Sequence, residues 1–192
     1  MLREKLKNYT IILASGSPRR QQFLKDLDID FIINTKPVDE IYPLHLKGAE
    51  ITDFLADLKS KAFTELNDND VLITSDTIVW HKEKALGKPK DRDDAIKMLQ
   101  SLSNNTHEVI TSLSIKTKQT QKIINDTTLV TFKKLTDEEI NYYIDTYKPY
   151  DKAGAYGIQE WIGFIGINKI EGSYYNVAGL PVHKLYDELL QL

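Results

Sequence analysis

The sequence contains no cysteine. That excludes disulfides, thiolate catalysis and cysteine-ligated zinc, and it is compatible with a reducing cytoplasm. No apolar run approaches the ~20 residues needed to span a bilayer. The opening Met1-Leu2-Arg3-Glu4-Lys5-Leu6-Lys7 lacks the apolar core of a signal peptide. Neither charge sign dominates: the net charge is −3, so no general attraction to nucleic acid or anionic membrane is expected, and any positive site must be local. His45, His81, His107 and His183 lie far apart without HExxH spacing and read as surface or structural residues. There is no GxxxxGK[ST] loop and no GxGxxG after a strand, so neither a P-loop nor a dinucleotide fingerprint is present.

What remains is ordinary for a globular chain, 41% hydrophobic and 28% charged over 192 residues. Without repeats or linkers, it reads as one domain, residues 1–192. The most informative stretch is Tyr9 to Leu27. Ile11-Ile12-Leu13-Ala14 predicts a short buried strand. Ser17 then fits a helix N-cap with Pro18 at the first helical position, and Phe23, Leu24 and Leu27 give an apolar stripe. Arg19 and Arg20 fall in the first turn, where the helix dipole disfavours cations by roughly 0.3–1 kcal/mol each. An anion at that helix end would reverse the penalty, taking backbone N–H groups, the Ser15 and Ser17 hydroxyls and two guanidinium forks. The alternative is two solvent-exposed arginines on a surface helix.

Further along, Phe31-Ile32-Ile33 reads as a second strand, followed by a proline-bounded loop carrying Asp39-Glu40, a place for a metal or a base, or simply a solvated turn. Ala49 to Leu66 has helical periodicity through Ile51, Phe54, Leu55, Leu58 and Ala62, with Lys59 and Lys61 both flanking the stripe and periodicity unable to choose between them. Val71-Leu72-Ile73-Thr74 runs on through Ser75-Asp76-Thr77, setting Asp76 at the end of an apolar strand, where α/β folds place ligand-handling groups; a capping or turn aspartate is the other reading. Leu86-Gly87-Lys88-Pro89 is a tight turn that projects Lys88 as a phosphate ligand. Asp91–Leu102 and the capping-box segment from Thr136 predict helices; Val109–Ile115 alternates as a half-buried strand, with Ile123–Phe132 its antiparallel partner. Two glycines and two alanines in Asp151–Gln159 imply close backbone approach, a ligand being one candidate. Trp161–Ile170 reads as a glycine-interrupted strand and Val182–Leu190 as a final helix striped by Val182, Leu185, Leu189 and Leu190. The order is that of an α/β protein with a mixed sheet. Positive clamps with carboxylates (Glu40, Asp76) suit phosphoryl chemistry, with all-oxygen ligands for Mg²⁺ or Mn²⁺.

The chain strongly resembles the Maf family of nucleoside triphosphate pyrophosphatases. The match runs almost end to end, through Leu13-Ala14-Ser15-Gly16-Ser17-Pro18-Arg19-Arg20, Asp39-Glu40, Lys61-Ala62, Ser75-Asp76-Thr77-Ile78-Val79, Gly87-Lys88-Pro89, His107-Glu108-Val109-Ile110-Thr111, Asp151–Gln159 and Gly179-Leu180-Pro181. The resemblance implies a twisted mixed β-sheet flanked by helices, in two lobes around a central cleft (Maf/ITPase-like), as a cytoplasmic homodimer. It also implies hydrolysis of a nucleoside triphosphate to the monophosphate and pyrophosphate. By position, Asp76 resembles the catalytic aspartate, as base or as metal ligand with Glu40. Arg19, Thr77 and Gln159 resemble residues tied to substrate choice. Ser17, Arg20, Glu40, Lys61 and Lys88 match other site positions, which favours Lys61 over Lys59. Asp151–Gln159 resembles the subgroup acting on dTTP and UTP. Asn104 departs from the family glycine after Ser103, and asparagine tolerates the left-handed backbone that position requires. The expected function is therefore a dTTP/UTP pyrophosphatase that clears modified pyrimidine nucleotides, the alternative being a nucleotide-binding regulator of cell division with weak hydrolysis.

Overall fold

A computed structural model describes residues 1–192. In chain order the elements are α1 (Leu2–Leu6), β1 (Thr10–Leu13), α2 (Pro18–Asp26), β2 (Phe31–Ile33), α3 (Ala49–Lys61), β3 (Asp70–His81), β4 (Lys84–Leu86), α4 (Arg92–Leu102), β5 (Thr106–Lys116), β6 (Gln121–Phe132), α5 (Asp137–Tyr147), α6 (Trp161–Gly166), β7 (Ile167–Glu171), α7 (Tyr174–Val177) and α8 (Val182–Leu189). The strands form one sheet in the order β2-β1-β3-β5-β6-β7, with β4 added to β3. β1 is parallel to both β2 and β3, whereas β4 pairs antiparallel with β3 and β7 antiparallel with β6, so the sheet is mixed as expected.

The chain divides into two compact units. The first comprises residues 1–76, 111–126 and 179–192. Its main core packs α1, α2 and α8 on β1, β3 and β5 through Leu2, Leu6, Leu13, Leu24, Ile73, Leu113, Leu185 and Leu189. The N-terminal helix carries little sequence signal: only two of its residues, Leu2 and Leu6, are apolar and buried, and their packing, rather than propensity, makes it. Leu190, expected in the last stripe, lies past the helix and is exposed.

The second unit comprises residues 77–110 and 127–178. Its helices are set by local signals. Asp91 caps α4 by accepting from the Asp94 N–H, and Thr136 with Glu139 forms a complete capping box at α5. Asn104 adopts φ 56°, so the substitution for glycine is accommodated as its chemistry predicts.

Other sequence expectations change as well. Trp161–Gly166 is helical, and only Ile167–Glu171 is strand; a Cβ at Gly163 would sit 1.9 Å from the Ile158 carbonyl oxygen, so that glycine marks helix-to-loop contact rather than a strand interruption. β5 is buried along nearly its whole length, not half-buried. Its Thr and Ser positions mimic alternation, but Thr111, Ser112 and Ser114 are buried. The close approach at Gly154 is to the protein itself: a Cβ there, at φ 68°, would lie 2.7 Å from Val79 Cγ2.

Candidate active site

In the first unit the site grows from the end of β1. That strand pairs with β3 only as far as Leu13 opposite Ile73, and Ala14 N–H still reaches the Ile73 carbonyl at 2.9 Å. β1 then leaves the sheet as Ser15-Gly16-Ser17, while β3 continues to His81. Asp76 is therefore not at a strand end. It lies within β3, where parallel pairing has stopped and antiparallel pairing with β4 has not begun. Carbonyls two residues apart on a strand face the same neighbour, so the Ser75 carbonyl points to the side that Ile73 shares with β1. Arg20 takes it, Nη1 donating at 2.9 Å, while Nε donates to the Gly179 carbonyl at 2.8 Å. The guanidinium also reaches Ser15 Oγ at 3.4 Å, and that hydroxyl accepts from the Ser17 N–H at 3.2 Å.

The charge misfit seen in the sequence thus has two parts. Arg20 is a strut between β1, β3 and the turn before α8, and it stands beside Asp76 and Glu40. Desolvation pushes its pKa down to about 10, and it stays charged at neutral pH. Ser17 occupies the N-cap with Pro18 at N1, but its hydroxyl makes no capping bond, and the first turn contains no acidic side chain. That end of α2 keeps its preference for an anion.

Of the two lysines on α3, the structure brings Lys59 to the carboxylates. Its Nζ lies 2.7 Å from Asp76 Oδ1 and 3.0 Å from Glu40 Oε1. Lys61, the residue favoured by resemblance, instead bridges Asp57 one turn earlier at 2.6 Å and is 68% exposed. A usable signal was in the sequence: Lys59 follows Leu55 by four and Ala56 by three, which sets it on the buried face, whereas Lys61 follows Asp57 by four. α3 is pinned to the sheet by polar bonds. Thr74 donates to the Ala56 carbonyl at 2.6 Å, the Ser112 hydroxyl lies 2.6 Å from Thr52 Oγ1 and from Asp53 Oδ1, and Lys116 reaches the Ser60 and Phe63 carbonyls at the helix C-terminus.

Asp76 is buried, and burial is the main cause that raises its pKa above the usual carboxylate range. Lys59 and Arg20 oppose that rise, and Glu40 adds to it. Glu40 itself is half-exposed on the loop after β2. No three His, Cys, Asp or Glu side chains converge as a metal cage. Yet Asp76 and Glu40 already share one cation, the Lys59 ammonium, and magnesium is commonly held by one or two carboxylates with substrate phosphates completing its shell. This donor pair fits such an ion.

The second unit carries the other expected residues. Thr77 follows Asp76 and is half-buried; Lys88 is exposed on the turn after β4. That turn is anchored where the Gly87 carbonyl accepts from the Gly154 N–H at 3.0 Å. Gln159 sits in a tight turn closed by Glu160 N–H to Gly157 O at 3.0 Å, and its Oε1 is buried with no hydrogen-bond partner. His107 is structural: buried, hydrogen-bonded to Tyr156 at 2.8 Å, stacked on Phe132, and with its pKa pushed down to about 3 by burial.

A carboxylate, ammonium and guanidinium clustered at an anion-seeking helix end agree with what sequence comparison finds. A family model for Maf-like proteins matches residues 10–192. The chain belongs to the Maf family. Among curated Maf relatives, a Flavobacterium johnsoniae protein named dTTP/UTP pyrophosphatase is 64% identical over 100% of both chains. A Bacteroides fragilis protein of the same name is 52% identical over 97% of this chain and 98% of its own. Among solved structures, a HAM1 protein from Coxiella burnetii superposes with a TM-score of 0.53 at 14% identity, covering 96% of this chain and 100% of that one. At that identity the likeness shows that this Maf chain shares the HAM1 fold.

Proposed function

We propose that this Maf protein is a nucleoside triphosphate pyrophosphatase that hydrolyses dTTP and UTP to the monophosphate and pyrophosphate. The observation that carries the proposal is the buried Asp76 carboxylate, bridged by Lys59 to Glu40 and flanked by Arg20. The names of the full-length relatives support the substrate class.

Water attacks the α-phosphorus and the bond to the β-bridging oxygen breaks, so pyrophosphate leaves. Asp76 accepts the proton of the attacking water. Lys59 donates to Oδ1, which orients the carboxylate. A base whose pKa burial raises is better matched to this task than an ordinary aspartate. Arg19, Arg20, Lys88 and the end of α2 neutralise triphosphate charge, which is the main demand of phosphoryl chemistry. Asp76 and Glu40 would hold a divalent cation, Mg²⁺ or Mn²⁺, which when bound neutralises phosphate charge further. Gln159 recognises the base: its unpartnered Oε1 accepts from the N3–H of a thymine or uracil imide, with Thr77 beside the nucleotide.

A homodimer and a cytoplasmic setting belong to the same proposal. Exposed Ile32 and Ile33 on edge strand β2, with Ile41 and Leu44 on the loop beyond it, support an interface between copies. No helix is long and apolar enough to cross a membrane. The proposal is tested by incubating the protein with each natural nucleoside triphosphate and Mg²⁺ and measuring pyrophosphate. Turnover of dTTP and UTP, abolished by chelation and restored by added metal, supports it; equal turnover of all nucleotides, or none, overturns it.

A further inference from the structure

Gln159 is presented by a four-residue turn with an unusual anchor. The Gly157 N–H donates to the Tyr143 hydroxyl at 3.1 Å, and the same hydroxyl donates to Glu160 Oε2. One phenol on α5 therefore grips both corners of the turn, while the turn closes itself through Glu160 N–H to Gly157 O. The other Glu160 oxygen accepts from Lys152 Nζ at 3.1 Å; that ammonium is itself buried and also bonds Asp151 Oδ1 at 2.6 Å. The arrangement has little slack. A Cβ on Gly157 would lie 2.9 Å from Glu160 Cδ and 3.1 Å from Gln159 Nε2, so the Gln159 amide folds over a position that only glycine leaves clear. Tyr143 is fully buried, with its ring stacked on Tyr147. Burial and the Glu160 carboxylate raise its pKa, so the phenol keeps its proton and continues to donate.

We propose that Tyr143 is a positioning residue for base recognition: with Glu160 and Lys152 it staples the Gly157–Glu160 turn so that Gln159 Oε1 is held ready for a pyrimidine imide N–H. The proposal rests on the base-reading role given above to Gln159. It accounts for a Tyr–Glu–Lys chain, buried at Tyr143 and Lys152, that touches none of the groups acting on phosphate, and for a buried amide oxygen kept without an internal partner. A fixed acceptor discriminates because cytosine presents a lone pair at N3 where thymine presents a proton, so a loosened amide loses affinity for dTTP and tolerates dCTP better.

The test is a double-mutant cycle read as the ratio of kcat/KM for dTTP over dCTP. Tyr143→Phe keeps the ring and deletes the staple; Glu160→Gln keeps the shape and deletes the charge partner of Lys152, guarding against a folding failure in either one. Each is expected to lower the dTTP:dCTP ratio roughly tenfold, the effect of misplacing one hydrogen bond, mostly through KM. In a Gln159→Ala background neither should change the ratio further. If Gln159→Ala loses discrimination but both staple variants retain it, the staple is overturned and base reading stands. If Gln159→Ala itself leaves the ratio unchanged, base reading by Gln159 fails and the staple with it. An equal loss from Tyr143→Phe with and without Gln159 also overturns the staple, because the effect would not pass through the amide.

Discussion

Replacing Lys59 by methionine keeps an unbranched side chain of similar length and removes the ammonium that joins Asp76 to Glu40. The two halves of that bridge are unequal. Glu40 is 48% exposed, so its contact at 3.0 Å contributes little. Asp76 is 8% and Lys59 18% exposed, with 2.7 Å between them, so this half is a buried pair. Deleting one partner of such a pair costs about 3–5 kcal/mol, because a charge is left uncompensated. Arg20 remains beside Asp76 and holds the loss near the lower end, about 3 kcal/mol. At ~2–4 °C per kcal/mol for a chain of this size, calorimetry at neutral pH should show Tm lower by about 6–12 °C. The pH dependence has a definite sign. Burial raises Asp76, and Lys59 is the largest influence opposing it, so the folded-state pKa climbs further without Lys59. From 3.8 up to the folded-state value, the native protein holds a proton that the unfolded chain has lost, and stability falls as pH rises. The methionine variant's deficit should therefore grow through that window and shrink on acidification, while the acid limb of kcat/KM moves to higher pH. Lys61→Met is the control: an exposed i,i+4 pair is worth about 0.3–0.5 kcal/mol, so Tm should stay within about 2 °C and turnover should be unchanged. Full activity in Lys59→Met with loss in Lys61→Met would refute the assignment.

Three other outcomes follow from the same physics. Asp76→Asn should abolish turnover yet raise Tm at neutral pH, since the neutral amide escapes the desolvation that opposes the carboxylate; a fall in Tm would mean that Lys59 and Arg20 outweigh burial. His107, depressed to about 3 by burial, stays neutral in the fold while the unfolded chain takes a proton below 6.5; stability should drop on acidification through that range by up to ~1.4 kcal/mol per pH unit, and His107→Gln, which can still meet the Tyr156 hydroxyl, should flatten that slope in a pH series of melts. Gly154→Ala combines φ 68° with a 2.7 Å clash on Val79 Cγ2; a cost of about 2 kcal/mol should lower Tm by roughly 4–8 °C, and an unchanged melt would contradict the tight approach.

What the sequence made legible was local. Pro18 after Ser17, Asp91 before Asp94, and Thr136 before Glu139 each act within four residues, and the helices begin where those residues require. The arginine pair at a helix start was legible as a local conflict. Other features depended on partners distant in the chain. β4 exists because Lys82 and Glu83 adopt positive φ in a two-residue turn, a conformation that their composition disfavours. Gly154 reads in the sequence as a close approach and Gly163 as a strand interruption, and Val79 and the Ile158 carbonyl supply the physical reason for each. Asp76 stood out in the sequence at the end of an apolar run, but its place inside β3 follows from where β1 leaves the sheet. The choice between Lys59 and Lys61 turned on helix rotation, which the flanking Leu55, Ala56 and Asp57 encoded and the motif match obscured.

The central claim is the cleavage position and the base preference together. Phosphorus NMR of dTTP turned over in ¹⁸O-labelled water, followed alongside the other nucleoside triphosphates, tests both at once. The account predicts pyrophosphate free of label, label on the α-phosphate of dTMP, and turnover of dTTP and UTP well above that of dCTP and the purine nucleotides. Inorganic phosphate and dTDP as products, or tight dTTP binding with no product in the presence of Mg²⁺ or Mn²⁺, would contradict it.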